Sequence, residues 1–234
     1  MADMDLKTAA ALAKARASMY RFLGGLYIME VDAEQLAQLK KMTFPEVEGN
    51  SDADQDLREG YALVRDYLKE FPDGEPEKTE KLDDLAADYA KVFLAAGDAT
   101  GRAAFPYESV YVDKRHRVGG STEMQMHALY LERGLMADPD VYRTMDDNIG
   151  LILEYQGNVC EELAAALEAE DMEKAQRLMD EQKKFVKKHL TNWVYVFTSD
   201  VIRYSERDFY KGVAKITNGF IKKEAELLKK GAAV

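Results

Sequence analysis

The sequence predicts an all-α protein: a single compact helical domain over residues 1–234, with about nine to eleven helices and a long ordered loop near residues 97–120. Apolar residues recur at steps of three and four in almost every segment outside that loop, the pattern of helices with one buried face. Long stretches are built from Ala, Leu, Glu and Lys, and only five prolines interrupt 234 residues. No alternation of short apolar strands with helices appears, so a mixed sheet has no support.

Taken in order, residues 5–29 place Leu12, Met19, Phe22, Leu23, Leu26 and Tyr27 at helical spacing. The Gly24-Gly25 pair weakens that helix by about 1 kcal/mol per glycine relative to alanine, which marks close packing of a neighbour. Asp32, with Gln35 at the third position, caps a short helix that should stop near Thr43, before Pro45. A loop through Asn50 leads to a helix from about 52 to 70 on the stripe Leu57, Tyr61, Val64, Leu68. After a turn rich in Pro, Gly and Asp, Thr79 opens the next helix, with Leu82, Leu85, Tyr89, Val92 and Phe93 on one side. The segment 97–120 holds four of the fifteen glycines and no strand partner; an ordered loop of that length is functional or a linker. Helix resumes at Ser121 and ends at Gly134, with Arg133 in its last turn.

The central stretch, Asp138 to Leu167, starts at an Asp-Pro step and passes through Thr144, Asp146, Asp147 and Asn148. Ile149, Ile152, Leu153, Gln156, Val159, Cys160, Leu163 and Leu167 then make one apolar stripe. Thr144 followed by Asp147 reads as an N-cap with an acid three positions on. Two readings of these polar residues stand side by side: they cap a core helix, or two carboxylates and an amide at a helix start receive a cationic ligand. Asp171 caps a helix to about Lys188, residues 190–204 fit helical spacing through Trp193, Val196, Phe197, Val201 and Tyr204, and Ser205 with Asp208 caps the last helix. An N-terminal segment (residues 1–96), the loop (97–120) and a C-terminal segment (121–234) together form the one domain.

The net charge of −11 argues against general nucleic-acid binding. Residues 46–88 carry 15 acidic and 5 basic side chains, net −10, whereas 174–230 carry 14 basic and 7 acidic, net +7. An acidic front half suits a basic partner. The lone Cys160 excludes an internal disulfide and any multi-cysteine metal site, and its place on the apolar stripe makes it a core residue. The N-terminal run KTAAALAKA is too short for a signal-peptide core, and no stretch approaches the ~18 apolar residues of a membrane span, so the expectation is a cytoplasmic protein without stable membrane insertion.

Catalytic groups in recognisable arrangements are missing. There is no P-loop, no dinucleotide glycine fingerprint and no nucleophile elbow. A di-iron bundle needs Glu-x-x-His on two helices, and none of His116, His127 and His189 follows a Glu by three. Glu123 and His127, four apart, form a surface pair rather than half a metal site. The sequence therefore implies no enzyme and no cofactor.

Several stretches together resemble the redox-enzyme maturation chaperones of the TorD/DmsD type, related more distantly to NarJ. Pro106-Tyr107-Glu108-Ser109-Val110-Tyr111 is similar to the family's Pro-Tyr-x-Ser-Val-Tyr segment. Upstream, Tyr89-Ala90-Lys91-Val92-Phe93 resembles an aromatic-x-x-Leu-Phe motif; downstream, Tyr130 to Leu135 matches a Tyr-x-x-x-Gly-Leu turn. His189-Leu190, Trp193, Phe197, Phe209-Tyr210 and Ile216-Thr217 continue the likeness, which covers most of residues 15–222. The resemblance implies an all-helical cytoplasmic chaperone that binds the twin-arginine signal peptide, and the folded or partly folded body, of a molybdenum-cofactor oxidoreductase subunit. Such a chaperone holds its client back from export until the cofactor is loaded. A receptor for two arginines and an apolar run needs carboxylates beside an apolar groove. Tyr89, Phe93, Tyr107 and Tyr111 would line the groove, with Glu108, Asp146, Asp147 and Asn148 supplying charge and hydrogen bonds. At the family's Glu-Pro-x-Asp-His segment this chain has Thr144-Met145-Asp146-Asp147-Asn148: Asp147 keeps the carboxylate, and Asn148 replaces a histidine that would titrate near neutral pH. Family members exchange helices between protomers, and the loop 97–120 is long enough to act as the hinge of such a homodimer. The alternative is a nucleotide-binding regulator or enzyme on the same scaffold.

Overall fold

The computed structural model describes residues 5–71, 80–97, 99, 101–135 and 144–230, and among them it contains ten helices and no strand. They are α1 (Leu6–Ile28), α2 (Ala33–Lys41), α3 (Asp52–Leu68), α4 (Glu80–Leu94), α5 (Glu108–Val112), α6 (Ser121–Glu132), α7 (Ile149–Glu168), α8 (Met172–His189), α9 (Val194–Tyr204) and α10 (Asp208–Lys230). The expected Thr79 start of α4 and the Asp138-Pro139 step lie outside the described residues.

The chain resolves into two compact units, neither of them a continuous stretch. The first comprises Met1–Ile28, Tyr107–Trp193 and Lys222–Val234; the second comprises Met29–Pro106 and Val194–Ile221.

The first unit is built on α1 against α7. A Cβ at Gly24 would stand 2.9 Å from the Gly150 carbonyl oxygen, and one at Gly150 would stand 2.8 Å from the carbonyl oxygen of Gly24. A turn or two along, Gly157 faces Ala17. The two helices are therefore antiparallel and touch backbone to backbone, as Gly24 in the sequence foretold. Beside this seam lies a buried polar cluster. Arg16 donates from Nε and a terminal nitrogen to the two Glu224 oxygens (2.8 and 2.7 Å) and to Gln182 Oε1 (2.6 Å), while Tyr20 donates to Glu224 (2.8 Å). Arg16 and Glu224 are 4% and 2% exposed, so each is tolerable only because the other is present. Cys160 is fully buried, and burial pushes its thiol up to about 12.

The second unit repeats the device with α3 against α10. Gly60 faces the Gly212 carbonyl and Ile216, and Gly219 faces the Ala53 carbonyl at 2.7 Å. Around it pack Tyr67, Tyr89, Phe93, Phe197, Phe209 and Tyr210, with ring centroids 4.9–6.3 Å apart.

Helix ends follow local chemistry at several places. Asp32 accepts from the Gln35 N–H, Asp171 accepts from the Lys174 N–H, and Ser51 with Asp54 closes a capping box. Gly134 at φ +65° ends α6: its N–H bonds the Leu131 carbonyl and the Leu135 N–H bonds that of Tyr130, a Schellman motif.

Three expectations need correction. Residues 108–112, inside the expected loop, form the short helix α5. Thr144 does not cap α7; Asn148 does, with Oδ1 accepting from the Gly150 N–H at 2.8 Å. Its extended backbone places a short amide directly below the first turn, whereas Thr144 is a whole turn too early. Nor does Ser205 cap α10. Its hydroxyl donates to Asp88 of α4, whose carboxylate also accepts from the Glu206 and Arg207 N–H groups at 2.8 and 3.2 Å.

The Gly24–Gly150 crossing gives a stability test. Alanine at position 150 gains about 1 kcal/mol of helix propensity but must push against backbone atoms, an overpacking cost of about 1–3 kcal/mol. Gly150→Ala is expected to lower the melting temperature, and Gly157→Ala, whose nearest contact is 3.3 Å, to lower it less.

Candidate functional site

Two short pieces of the first unit meet to form the site: Tyr107 with α5, and the turn Thr144–Asn148 that leads into α7. Tyr107 and Asn148 pair as an antiparallel bridge. The Asp147 carbonyl accepts from the Glu108 N–H at 3.0 Å, and its Oδ2 accepts from the Ser109 N–H at 2.8 Å. These are the first donors of α5, so a carboxylate remote in sequence satisfies a helix start that has no cap of its own. That is why α5 forms although Val and Tyr dominate it. A polar chain closes the bridge on one side: Asn148 Nδ2 donates to Thr144 Oγ1, which lies 3.1 Å from the Tyr107 hydroxyl.

Below the bridge, Glu108 and His189 form a pair closed from solvent, 2.9 Å between Oε2 and Nδ1. The His189 carbonyl accepts from the Trp193 indole at 2.7 Å, and the Tyr111 ring stacks on Trp193 at 5.3 Å. Tyr130, Tyr155, Phe185 and His189 follow one another ring to ring at 4.7–5.7 Å. They wall the site with aromatic surface.

Burial pushes the Asp147 carboxyl above its ordinary range, against the opposing pull of its bonds from Ser109. Its Oδ1 is buried without a hydrogen-bond partner among the described residues. Burial likewise raises Glu108, with His189 pulling the other way.

Above the bridge the surface opens. Asp146 Oδ2 lies 2.6 Å from His127 Nδ1 on α6, and the Tyr130 hydroxyl donates to the Asp146 carbonyl. The His127 and Asp146 side chains are 45% and 20% exposed. Glu123, one turn before His127, is raised by burial and then by Asp146 and Asp147, so three carboxylates crowd one another here. On α6 the exposed Met124 and Leu131 flank His127 at steps of three and four, and Met145, also exposed, adjoins Asp146.

The structure thus brings Tyr107, Glu108, Asp146, Asp147 and Asn148 into one cluster, with Tyr111 beside it on Trp193. Tyr89 and Phe93 belong to the second unit and are buried among its aromatic rings. His189, Ser109, Glu123 and His127 also build the site. Ser109 and His189 stand in motifs of the resemblance, but without a site role; Glu123 and His127 do act on one another as their spacing suggests, and His127 also bonds Asp146. Among the described residues no group of three or more His, Cys, Asp or Glu side chains could hold a metal ion.

The two raised carboxyls set a pH signature. Asp147 and Glu108 bind protons more tightly in the folded state than in the unfolded chain, so they make stability fall as pH rises from the ordinary carboxylate range to their raised values. Asp147→Asn keeps an oxygen acceptor for Ser109 and is expected to flatten that slope in urea melts across pH. Asp147→Ala leaves the Ser109 N–H without its acceptor and is expected to cost about 1–3 kcal/mol.

The model of the nitrate reductase delta subunit family matches residues 50–199. A chaperone protein TorD from Shewanella pealeana is 26% identical over 227 residues, covering 91% of this chain and 89% of the relative. Those from Shewanella piezotolerans and Photobacterium profundum are 24% and 25% identical, over 96% and 91% of this chain and 97% and 94% of theirs. The chain therefore belongs to the nitrate reductase delta subunit family, among the TorD-type redox-enzyme maturation chaperones.

Proposed function

We propose that the protein is a chaperone for a molybdoenzyme catalytic subunit and that it recognises the client's signal peptide at the surface above the Tyr107–Asn148 bridge. The carrying observation is the juxtaposition there of carboxylates and exposed apolar side chains. Asp146 and Glu123 stand beside Met124, Leu131 and Met145 on one face of the first unit. An arginine pair followed by an apolar run asks for that combination.

In this reading Asp146 is the first contact. An incoming guanidinium offers it a stronger, two-pronged partner than His127 does. The Tyr107 hydroxyl and Thr144 line the edge of the same face, while Glu108, Asp147 and Asn148 hold the turn at the height the arginine meets. Tyr111 steadies α5 through Trp193, and Tyr89 and Phe93 keep packing roles. The protein works by holding the client and releasing it for export once loaded, without catalysing a reaction. The Glu108–His189 pair is closed to substrate, and the exposed His127–Asp146 pair serves the peptide contact in this reading.

Isothermal titration of the full chain with a synthetic Arg-Arg signal peptide tests this. Asp146→Asn combined with Glu123→Gln is expected to weaken binding about tenfold, roughly 1.4 kcal/mol, with thermal stability unchanged. Replacing Arg-Arg by Lys-Lys should cost affinity as well, and added salt should weaken the wild type more than the double variant. Unchanged affinity in a folded double variant would place recognition elsewhere.

A further inference from the structure

The first unit carries a groove of about 320 Å³ where the C-terminal half of α8 meets the end of α10. Its floor is Val186, Ala225 and Leu228, its rim is Lys183, Lys187 and Lys229, and Thr191 closes one end. The three lysines are exposed, and none takes part in an ion pair among the described residues. Of the two acids that adjoin Ala225 in sequence, Glu224 points the other way onto Arg16, and Glu226 is exposed but is not among the residues that line the groove. In a chain of net charge −11, this groove sits inside the stretch 174–230 of net +7.

We propose that this groove docks an acidic amphipathic segment of a protein partner, one apolar side chain entering between the lysines and carboxylates meeting the rim. The groove's chemistry selects that occupant over other anions. An apolar floor gives a bare phosphate nothing, and both helices present their C-terminal ends here, where the backbone dipole opposes a concentrated negative charge. A planar lipid surface cannot fill a concave slot. Carboxylates spread along a helix, with an apolar residue between them, satisfy rim and floor together. This site is opposite in charge to the signal-peptide face and stands or falls independently of it.

The test uses the full chain and a fluorescein-labelled helical peptide in which glutamates flank a leucine, read by fluorescence anisotropy at low and moderate salt. Binding is expected, weaker at higher salt, and about tenfold weaker for Lys183→Glu/Lys187→Glu, since close charge pairs at interfaces are worth a kilocalorie or more. Lys7→Glu/Lys41→Glu, which changes net charge equally at exposed residues that do not line the groove, should bind as wild type, and circular dichroism melts should show all three proteins folded. Replacing the leucine by serine in the probe should also reduce binding. No binding by the wild type, equal loss in both double variants, or indifference to the leucine would each overturn the proposal. So would a result in which only vesicles of anionic lipid bind, or in which light scattering shows a dimer that the Lys183→Glu/Lys187→Glu variant abolishes while the peptide never binds.

Discussion

Each unit depends on two antiparallel helices whose backbones touch. Small residues seven apart produce the contact in both cases: Ala17 and Gly24 against Gly157 and Gly150, Ala53 and Gly60 against Gly219 and Gly212. Seven residues are about two helical turns, so the small positions fall on one line and two such lines can lie together. Large side chains then pack in the valleys on either side, where Tyr20, Leu153 and Ile28 border one seam and Leu57, Val64 and Ile216 the other. Once that spacing is fixed, the remaining helices have defined surfaces to settle against.

Buried carboxylates do the second half of the work. Asp147 satisfies an opening N–H group of α5, and Asp88 holds the Glu206 and Arg207 N–H groups of the turn just before α10; each thereby ties down the approach to a helix remote in sequence. Such acids are costly to bury, and the unpartnered Asp147 oxygen is a visible share of that cost. What they confer is placement. The α5 start, the Tyr107–Asn148 bridge and the Asp146 surface turn are tied to one residue, so the face proposed for peptide recognition is held by chemistry beneath it rather than by its own contacts.

The sequence displayed whatever depends on neighbours a few positions apart. Helix stripes, the Asp32 and Asp171 caps, the end of α6 at Gly134 and the close approach at Gly24 are all local statements about propensity or spacing. The resemblance also grouped Tyr107, Glu108 and the Asp146–Asn148 turn, which the structure brings together, with Tyr89 and Phe93, which it places in the second unit. The Asp88 and Asp147 caps and the Glu108–His189 pair were illegible because their partners lie 117, 38 and 81 residues away. Without those partners α5 reads as loop, and Ser205 and Thr144 look like the natural caps. Asn148 could have been chosen from its position directly before the apolar stripe; the capping-box spacing of Thr144 and Asp147 outweighed it.

The Arg16–Glu224 pair bears on how the chain is made. The two residues are 208 positions apart, one on α1 and one on α10. Until α10 leaves the ribosome, the guanidinium on α1 has no counterion in the place where it must be buried, and Gly24 has to wait for Gly150. The α1–α7 seam can form once α7 has been made, but the Arg16 site is complete only after α10 arrives. A chain interrupted before residue 224 would leave the Arg16 cation in the core without its counterion, at a cost of about 3–5 kcal/mol, so arrival of α10 is registered in the electrostatics of the fold itself.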